Sequence, residues 1–370
     1  AATVATGVAG SERIRDGALA PMAEGPAPGP DVRVVDVVGD GLVLEDLTGS
    51  ARDLNSPLVL GLQSPSGYGQ LVGAPQRMES GIWRNYLHLQ GTPPRRGGDL
   101  RIDLSAFADA EHAVGVQAEP IDVESDLGRI SALHVPGARG EWVVLVHGRI
   151  SAPYREPLRM LRAFVRRGHP ALIVSYRNAA GAPRAPDGIS RFGLDEWADI
   201  AAGVAVARSR GADSVILGGL SMGGAIAMAA ASRIAPREAI RGLVLDSPVL
   251  DLWATIGVGA ARRLRAGVVA RRLLLACTKS VTRVRFGLDW RALDHTRRAD
   301  SLSLPTLLFH GSADRVAPVD RSDALAAERP DLVVYRRPPG LGHVLSWNAS
   351  PDAYEDAVAE FLERVAPGTG

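Results

Sequence analysis

The sequence predicts an α/β protein: a mostly parallel, eight-stranded sheet with helices on both faces, preceded by a smaller β-rich region. Two patterns predict this architecture. From residue 119 onward, strand-like apolar runs alternate with helical patterns, and in 31–118 short apolar runs are broken by turn residues. In addition, a glycine-rich turn surrounds a single serine at 219–223, within the alternating part. With 370 residues, 46% of them hydrophobic, the chain can bury a large core.

The first 118 residues divide into two segments. Residues 1–30 are rich in Ala, Gly and Pro and end in EGPAPGP, so we expect a flexible N-terminal segment. In 31–118, the runs VVDVV and LVLED flank Asp40-Gly41, a dipeptide typical of a β-hairpin. We therefore expect a small antiparallel β region there. It would serve either as a lid or packing extension of the main domain, or as a binding module.

Residues 119–370 have the pattern of one α/β domain. The eight strand candidates are EPIDVES, RISALHV, WVVLVHG, ALIVSYR, SVILGGLS, GLVLDSP, PTLLFHG and LVVYRRP. The later ones are continuous runs of β-branched residues and leucine, as expected for strands buried on both faces. The helical patterns lie at 155–167, 194–210, 222–235, 320–329 and 351–365. This alternation favours right-handed crossovers and a parallel sheet.

Composition argues against several classes of function. The net charge of +1 gives no overall basic surface for a nucleic acid, and no run of 18 apolar residues predicts a transmembrane segment. The single cysteine, Cys277, excludes an intrachain disulfide and favours the cytoplasm, while a leader or anchor removed before Ala1 stays open. We expect no metal and no cofactor, because no cluster of His, Cys or carboxylates has metal-ligand spacing.

The turn GGLSMGG places Ser221 in the pattern G-x-S-x-G, between a strand and a helix. Such a turn exposes the serine hydroxyl at the carboxyl end of the sheet and requires small residues at 219 and 223. The start of the next helix directs the N–H of Met222 toward a developing oxyanion. Ser221 is therefore the predicted nucleophile; the alternative is a plain strand-to-helix turn rich in glycine.

A serine nucleophile requires a histidine base and a carboxylate that orients it, and in this architecture the chain order is Ser, acid, His. We expect His343, in a glycine loop after the last strand, to be the base. His310 lies at the end of a buried run and His295 in a charged segment that is typical of a surface.

The expected acid is Asp314, in the loop after the strand PTLLFHG. Asp246, at the end of GLVLDSP, and Asp251 are the alternatives, because some enzymes of this architecture take their acid from the earlier strand.

The second oxyanion donor should come from the loop after WVVLVHG, where the backbone N–H of Arg149 follows His147 and Gly148. We expect His147 to order this loop. Gly148, Tyr154 and Trp253 are the predicted substrate contacts.

The motifs LVHGR, GGLSMGG, HGSADRVAP and GLGH, in this order, resemble the α/β-hydrolase superfamily. The segments SYRNAAGAP and GHVLSWNASPDAYEDAV are similar to serine-aminopeptidase-like and monoglyceride-lipase-like α/β hydrolases of actinobacterial type. The resemblance covers about 119–366 and implies the α/β-hydrolase fold, but not a substrate, because this fold hosts many activities. The 31–118 region is too short for the β-propeller of prolyl-oligopeptidase-like enzymes, which disfavours a peptidase.

An insertion at about 252–303, between the sixth and seventh strands, has the position of the helical cap in that fold. Within it, 262–285 contains eight basic residues, no acidic one, and a partly helical apolar face with Leu264, Val268 and Leu275. Two interpretations stay open: a basic face that attracts anionic substrates or an anionic lipid surface, or a solvated face paired with acids elsewhere. The apolar cap residues favour a hydrophobic substrate.

The sequence therefore predicts a serine hydrolase that cleaves a small carboxylic ester through an acyl-enzyme. One alternative is an acyltransferase or thioesterase with the same three residues, for which the basic cap would suit a coenzyme A donor. The other is a non-catalytic binding protein on a hydrolase scaffold.

Overall fold

The computed structural model describes residues 2–21, 29–49, 52–149, 152–235, 239–263 and 267–366. Within these residues, six antiparallel strands close into a barrel in the order β1-β2-β5-β4-β3-β6. They are β1 (Val32–Val38), β2 (Gly41–Asp46), β3 (Leu60–Gln63), β4 (Gly67–Met78), β5 (Gly81–Gly91) and β6 (Asp99–Asp103). The predicted antiparallel region is thus a closed barrel filled mainly by leucine and valine. Its first hairpin turns at 39–40, one residue before the predicted pair, since Val38 pairs with Gly41.

The second sheet of the described chain has eight strands in the order β14-β13-β12-β11-β9-β10-β8-β7. Its strands are β7 (Glu119–Ser125), β8 (Gly128–Val135), β9 (Glu141–Val146), β10 (Ala171–Val174), β11 (Ser214–Leu220), β12 (Ile240–Asp246), β13 (Thr306–Phe309) and β14 (Val333–Arg336). β8 pairs antiparallel with β7 and β10, and the other pairs are parallel. The predicted mostly parallel sheet is confirmed.

Helices cover both faces of this sheet. After α1 (Ala2–Ile14) they are α2 (Ala110–Val114), α3 (Leu158–Val165), α4 (Trp197–Ser209), α5 (Met222–Ala231), α6 (Leu252–Arg263), α7 (Val268–Phe286), α8 (Val319–Glu328), α9 (Ser346–Ala349) and α10 (Pro351–Val365). Alternate residues of β9 enter two different apolar cores, Val144 and Val146 the first, Val143 and Leu145 the second. The helices α6 and α7 lie between β12 and β13, at the predicted insertion.

The N-terminal segment corrects one prediction. Residues 2–14 form α1 and 15–19 continue it as a π-helical turn, where a flexible segment was expected over 1–30; residues 22–28 lie outside the described chain. Glycine explains the difference. A Cβ at Gly10 would lie 2.3 Å from Thr278 Oγ1 of α7, and one at Gly7 would lie 2.9 Å from Val281 Cγ2. Glycine therefore lets α1 pack directly on α7, a partner about 270 residues away that no local pattern reveals.

In the described residues, we find no helix whose length and hydropathy would let it cross a membrane.

Candidate active site

Ser221 occupies a sharp turn between β11 and α5, with φ 53° and ψ −117°. This backbone conformation is unfavourable for a residue with a side chain, and it persists only where the surroundings hold it. A Cβ at Gly219 would lie 2.5 Å from the carbonyl oxygen of Gly223, and one at Gly223 would lie 2.2 Å from that of Val146. Both glycines are thus required by close backbone approach. The N–H of Ser221 donates to the carbonyl of Asp246 at 3.0 Å.

Ser221, His343 and Asp314 form one hydrogen-bonded chain. The Nε2 atom of His343 lies 2.8 Å from Ser221 Oγ, and its Nδ1 lies 2.7 Å from Asp314 Oδ2. The Asp314 side chain is fully buried, whereas one-fifth of the His343 side chain (20%) is exposed. The structure brings together the three residues that the sequence singles out, from the loops after β11, β13 and β14.

The carboxylate of Asp314 is stabilised in its charged form. Burial alone would raise its pKa, but hydrogen bonds from His310, His343 and the N–H of Val316 hold the pKa well below the usual range. His310 is fully buried, with Nε2 3.1 Å from Asp314 Oδ2 and Nδ1 2.7 Å from Ser322 Oγ. This second histidine contact was not predicted, although His310 stands only four residues before Asp314.

The alternative acids contact other groups. Asp246 is buried at the end of β12 and accepts hydrogen bonds from the hydroxyls of Ser247 and Ser346, each at 3.2 Å. Burial raises the pKa of Asp246 to about 6, against the opposing effect of the Arg159 charge. Asp251 accepts the N–H of Ala254 in the first turn of α6. Among the hydrogen bonds of the described residues, neither carboxylate reaches His343.

His295 differs from its prediction as a surface residue. It is only 8% exposed, and its N–H donates to the carbonyl of Leu250 at 2.7 Å. A β-bridge between Asp251 and Asp294 folds this charged segment against the protein, which local sequence does not reveal. Burial lowers the pKa of His295 to about 4, so the ring is neutral near pH 7.

The two predicted oxyanion donors border the same cavity as Ser221. Met222 is the first residue of α5, so its N–H has no acceptor within the helix. Arg149 follows β9. The preceding His147 is buried and stacks on Tyr176 with ring centroids 4.3 Å apart, and burial lowers its pKa to about 4. Its Nδ1 lies 2.7 Å from the carbonyl oxygen of Gly148, so the neutral ring orders the loop.

Glu156 is a cavity residue that the sequence analysis missed. Its Oε2 accepts the N–H of Gly148 at 2.5 Å, and only 9% of the residue is exposed. Burial raises the pKa of this carboxyl, partly offset by the Gly148 hydrogen bond and the charge of Arg159. A glutamate two residues before α3 and eight residues after Gly148 was the available signal. Its contact fixes the loop that carries the Arg149 N–H.

Ser221 and His343 open into a cavity of about 860 Å³. Its apolar lining is supplied by α1, α6, α7 and nearby loops: Ile14, Phe192, Val249, Leu252, Ile256, Leu274, Leu275 and Val316. A cavity of this size and lining suits a largely apolar small molecule.

The predicted substrate contacts lie elsewhere. Tyr154 donates its hydroxyl to the carbonyl of Ser131 at 2.7 Å, and Trp253 packs against Trp290 with ring centroids 4.9 Å apart. Both rings are held by neighbouring protein groups and do not line the cavity. Gly148 borders a separate, smaller pocket behind the loop.

The basic segment of the insertion is only partly paired. Arg285 donates to Ser11 at 2.7 Å and forms an ion pair with Glu12, and Lys279 lies 5.2 Å from the ring centre of Trp253. Arg272 and Arg283 are exposed on α7. Leu264 and Arg265 lie outside the described residues, as do the side chains of Arg263, Val268 and Arg271. Among the described basic residues of the segment, Arg285 is thus paired with an acid, whereas Arg272 and Arg283 are exposed to solvent.

Comparisons with known proteins agree with this architecture. The family described as the alpha/beta hydrolase fold matches residues 141–271. The esterase Pf2001 of Pyrococcus furiosus is 18% identical with a TM-score of 0.54, over 69% of this chain and 92% of that chain. The thermostable carboxylesterase EstE1, cloned from a metagenomic library, is 17% identical with a TM-score of 0.50, over 70% of this chain and 93% of that chain.

A puromycin-hydrolyzing peptidase of Mycobacterium tuberculosis is 18% identical with a TM-score of 0.52, over 88% of this chain and 46% of that chain. A search of curated protein sequences finds no significant match. At these identities the likeness concerns the fold.

Proposed function

We propose that this chain, whose fold is that of the α/β-hydrolase superfamily, is a serine hydrolase that cleaves carboxylic esters through an acyl-enzyme. The observation that carries the proposal is the hydrogen-bonded chain from Ser221 through His343 to Asp314, at 2.8 and 2.7 Å. It lies beside the 860 Å³ cavity, where an ester carbonyl can approach the serine oxygen. A plain glycine-rich turn requires neither a histidine at the hydroxyl nor a buried carboxylate behind it.

Each group has a defined task in this mechanism. As Ser221 Oγ attacks the ester carbonyl carbon, His343 Nε2 accepts the hydroxyl proton, and the charged carboxylate of Asp314 stabilises the imidazolium. The N–H groups of Met222 and Arg149 donate to the oxyanion. His343 then gives its proton to the leaving alcohol, and water, activated by the same histidine, releases the acid and restores Ser221.

Esters are the substrate class that the surroundings of Ser221 favour. The cavity lining is mostly apolar, which suits an uncharged ester with a hydrocarbon part. Two of the similar folds are named an esterase and a carboxylesterase, which supports this choice. Thioesters and amides react through the same acyl-enzyme, so the preference has to be measured with acyl-coenzyme A and aminoacyl amides beside nitrophenyl esters.

Replacement of the serine tests the proposal. Ser221→Ala should lower kcat for p-nitrophenyl butyrate by about 10⁴- to 10⁶-fold, since loss of a nucleophile typically costs that much. Ser232→Ala is the matched control, because Ser232 is exposed just after α5 and its hydroxyl donates to the helix carbonyl of Ala229. Activity of Ser221→Ala within tenfold of the wild type would overturn the serine-hydrolase mechanism.

A further inference from the structure

Helix α1 contributes one wall of the cavity beside Ser221. The π-helical turn after α1 continues this wall, and α6 and α7 line the cavity from other sides. The wall residues are Gly10, Arg13 and Ile14 of α1 and Asp16, Gly17 and Ala18 of the turn. Of these, Ile14 is 8% exposed and belongs to the same apolar core as Met222. In the chain, this wall precedes the α/β sheet by about a hundred residues, and the six barrel strands lie between the two in sequence.

Contacts anchor α1 to the helical insertion. The missing Cβ atoms of Gly7 and Gly10 leave room for Val281 and Thr278 of α7. One turn further along α7, Arg285 donates to Ser11 at 2.7 Å and pairs with Glu12. These contacts join α1 and α7 into one helical pair.

A second set of contacts anchors the segment after α1 to the α/β domain. Leu19 is fully buried, and its carbonyl accepts the N–H of Ser190 at 2.7 Å. Arg149 Nη2 donates to the carbonyl of Ala20 at 3.0 Å. The residue whose backbone N–H is assigned to the oxyanion thus uses its side chain to hold the N-terminal segment. With both anchors, α1 is fixed as a wall on this side of the cavity.

We propose that α1, together with the π-helical turn that continues it (Arg15–Leu19), is a specificity-determining wall of the ester site and limits the length of the apolar chain that the site accepts. This inference rests on the proposed function, because it assigns the cavity to the hydrocarbon part of the ester. Two cavity glycines make it testable: a Cβ at Gly17 in the segment after α1, or at Gly259 in α6, would have no atom within 4 Å. Both positions border the cavity and a Cβ there meets no protein atom, so a longer side chain can extend into cavity space.

The experiment compares Gly17→Leu with Gly259→Leu. Two controls carry the same change outside the cavity: Ala9→Leu, at an exposed position of α1, and Gly257→Leu, where a Cβ in α6 also meets open space. For each variant kcat/KM is measured on p-nitrophenyl esters from acetate to laurate, and on acetate esters of alcohols of rising chain length. One methylene in an apolar pocket changes kcat/KM by about 10- to 200-fold.

We expect both cavity variants to lower kcat/KM for the longest chain of one series by about tenfold or more relative to the shortest, with no such change in either control. If Gly259→Leu shifts the chain-length preference while Gly17→Leu behaves like Ala9→Leu, α1 is not a wall of the site. If neither cavity variant shifts the preference while short esters are still hydrolysed, the inference fails and the proposed function stands.

A binding measurement separates the inference from turnover. The fluorescent fatty acid cis-parinaric acid is titrated into Ser221→Ala, with and without Gly17→Leu or Ala9→Leu. Gly17→Leu should raise the Kd about tenfold, because less apolar surface of the fatty acid can be buried in the cavity. Ala9→Leu should leave the Kd unchanged. An equal Kd in all three proteins, or no binding to any of them, overturns the inference whatever the activity measurements give.

Discussion

Helix α1 and the barrel both precede the α/β sheet in the chain, yet they contact the site at different places. The first lines the cavity in front of Ser221. The barrel packs behind the segment that carries His343: Leu345 belongs to the barrel's apolar core, and Asn348 Nδ2 donates to the carbonyls of Val59 and Leu104 at 2.7 and 3.0 Å. From this difference we expect α1 to influence which esters bind. We expect the barrel to influence the position of His343, and so the rate for every ester.

The segment after His343 needs such support. Val344 has a φ of 54°, an unfavourable value for a β-branched residue. Its N–H donates to Ser247 Oγ at 3.0 Å and its carbonyl accepts from Arg159 at 2.7 Å. Arg159 also donates to the Asn348 side chain, which bridges it to the barrel. The barrel, α3 and the end of β12 together hold the backbone next to the base.

The largest effect is expected at Asp314, the acid that orients His343. Every ester depends on this residue, whatever α1 and the barrel contribute. Asp314→Asn should lower kcat by about 10⁴-fold on short and long esters alike, because an amide favours the wrong histidine tautomer. Asp246→Asn is the matched control and should cost far less, since Asp246 bonds Ser247 and Ser346 and not the base. A deeper loss in Asp246→Asn would move the role of acid to the earlier strand.

The next effect tests the barrel. Asn348→Ala removes the amide that donates to the carbonyls of Val59 and Leu104 and one of the two acceptors of the buried Arg159 guanidinium, so we expect a loss of about 1–3 kcal/mol in the free energy of unfolding. We also expect kcat to fall by a similar factor for acetate and laurate esters. Gln90→Ala, an exposed change in β5, is the control in urea unfolding and kinetics. A loss confined to long esters would break the proposed division between barrel and α1.

A smaller effect should follow when α1 is pushed away from α7. In Gly10→Ala the new Cβ would lie 2.3 Å from Thr278 Oγ1, whereas in Gly17→Ala it meets open space. Overpacking typically costs about 1–3 kcal/mol, so Gly10→Ala should lower the free energy of unfolding and alter the preference between acetate and laurate esters. Equal stability and equal preference in the two variants would mean that α1 does not pack on α7 in solution.

The smallest effect concerns the exposed basic residues of α7. Replacing Arg272 and Arg283, both exposed on α7, by Gln should lower kcat/KM for an anionic ester by a few-fold at low salt and flatten its salt dependence. A neutral ester should react as before. The same change at the exposed Arg95 and Arg96, near the barrel, is the control. Equal losses on charged and neutral esters would show that the basic residues of α7 act through packing instead.

The parts of this site that sequence predicts are those with local signals. Strand-like runs locate the sheet, and G-x-S-x-G, the glycine loop at His343 and the loop at Asp314 locate the reacting groups, because each motif is defined by neighbours in the chain. The helical wall and the contact of His310 with Asp314 were missed. They depend on partners brought together by folding, such as Gly10 and Thr278, and glycine in α1 was mistaken for flexibility although it permits close helix packing.

Covalent labelling tests the central claim most directly, because it needs no natural substrate. The wild-type protein, Ser221→Ala and His343→Ala are each treated with a fluorophosphonate and analysed by intact-mass and peptide mass spectrometry. We predict one adduct per wild-type chain, on Ser221, strongly slowed labelling in His343→Ala, and no adduct in Ser221→Ala. An unreactive wild-type protein, an adduct on another residue, or equal rates with and without His343 would contradict the account of a histidine-activated serine.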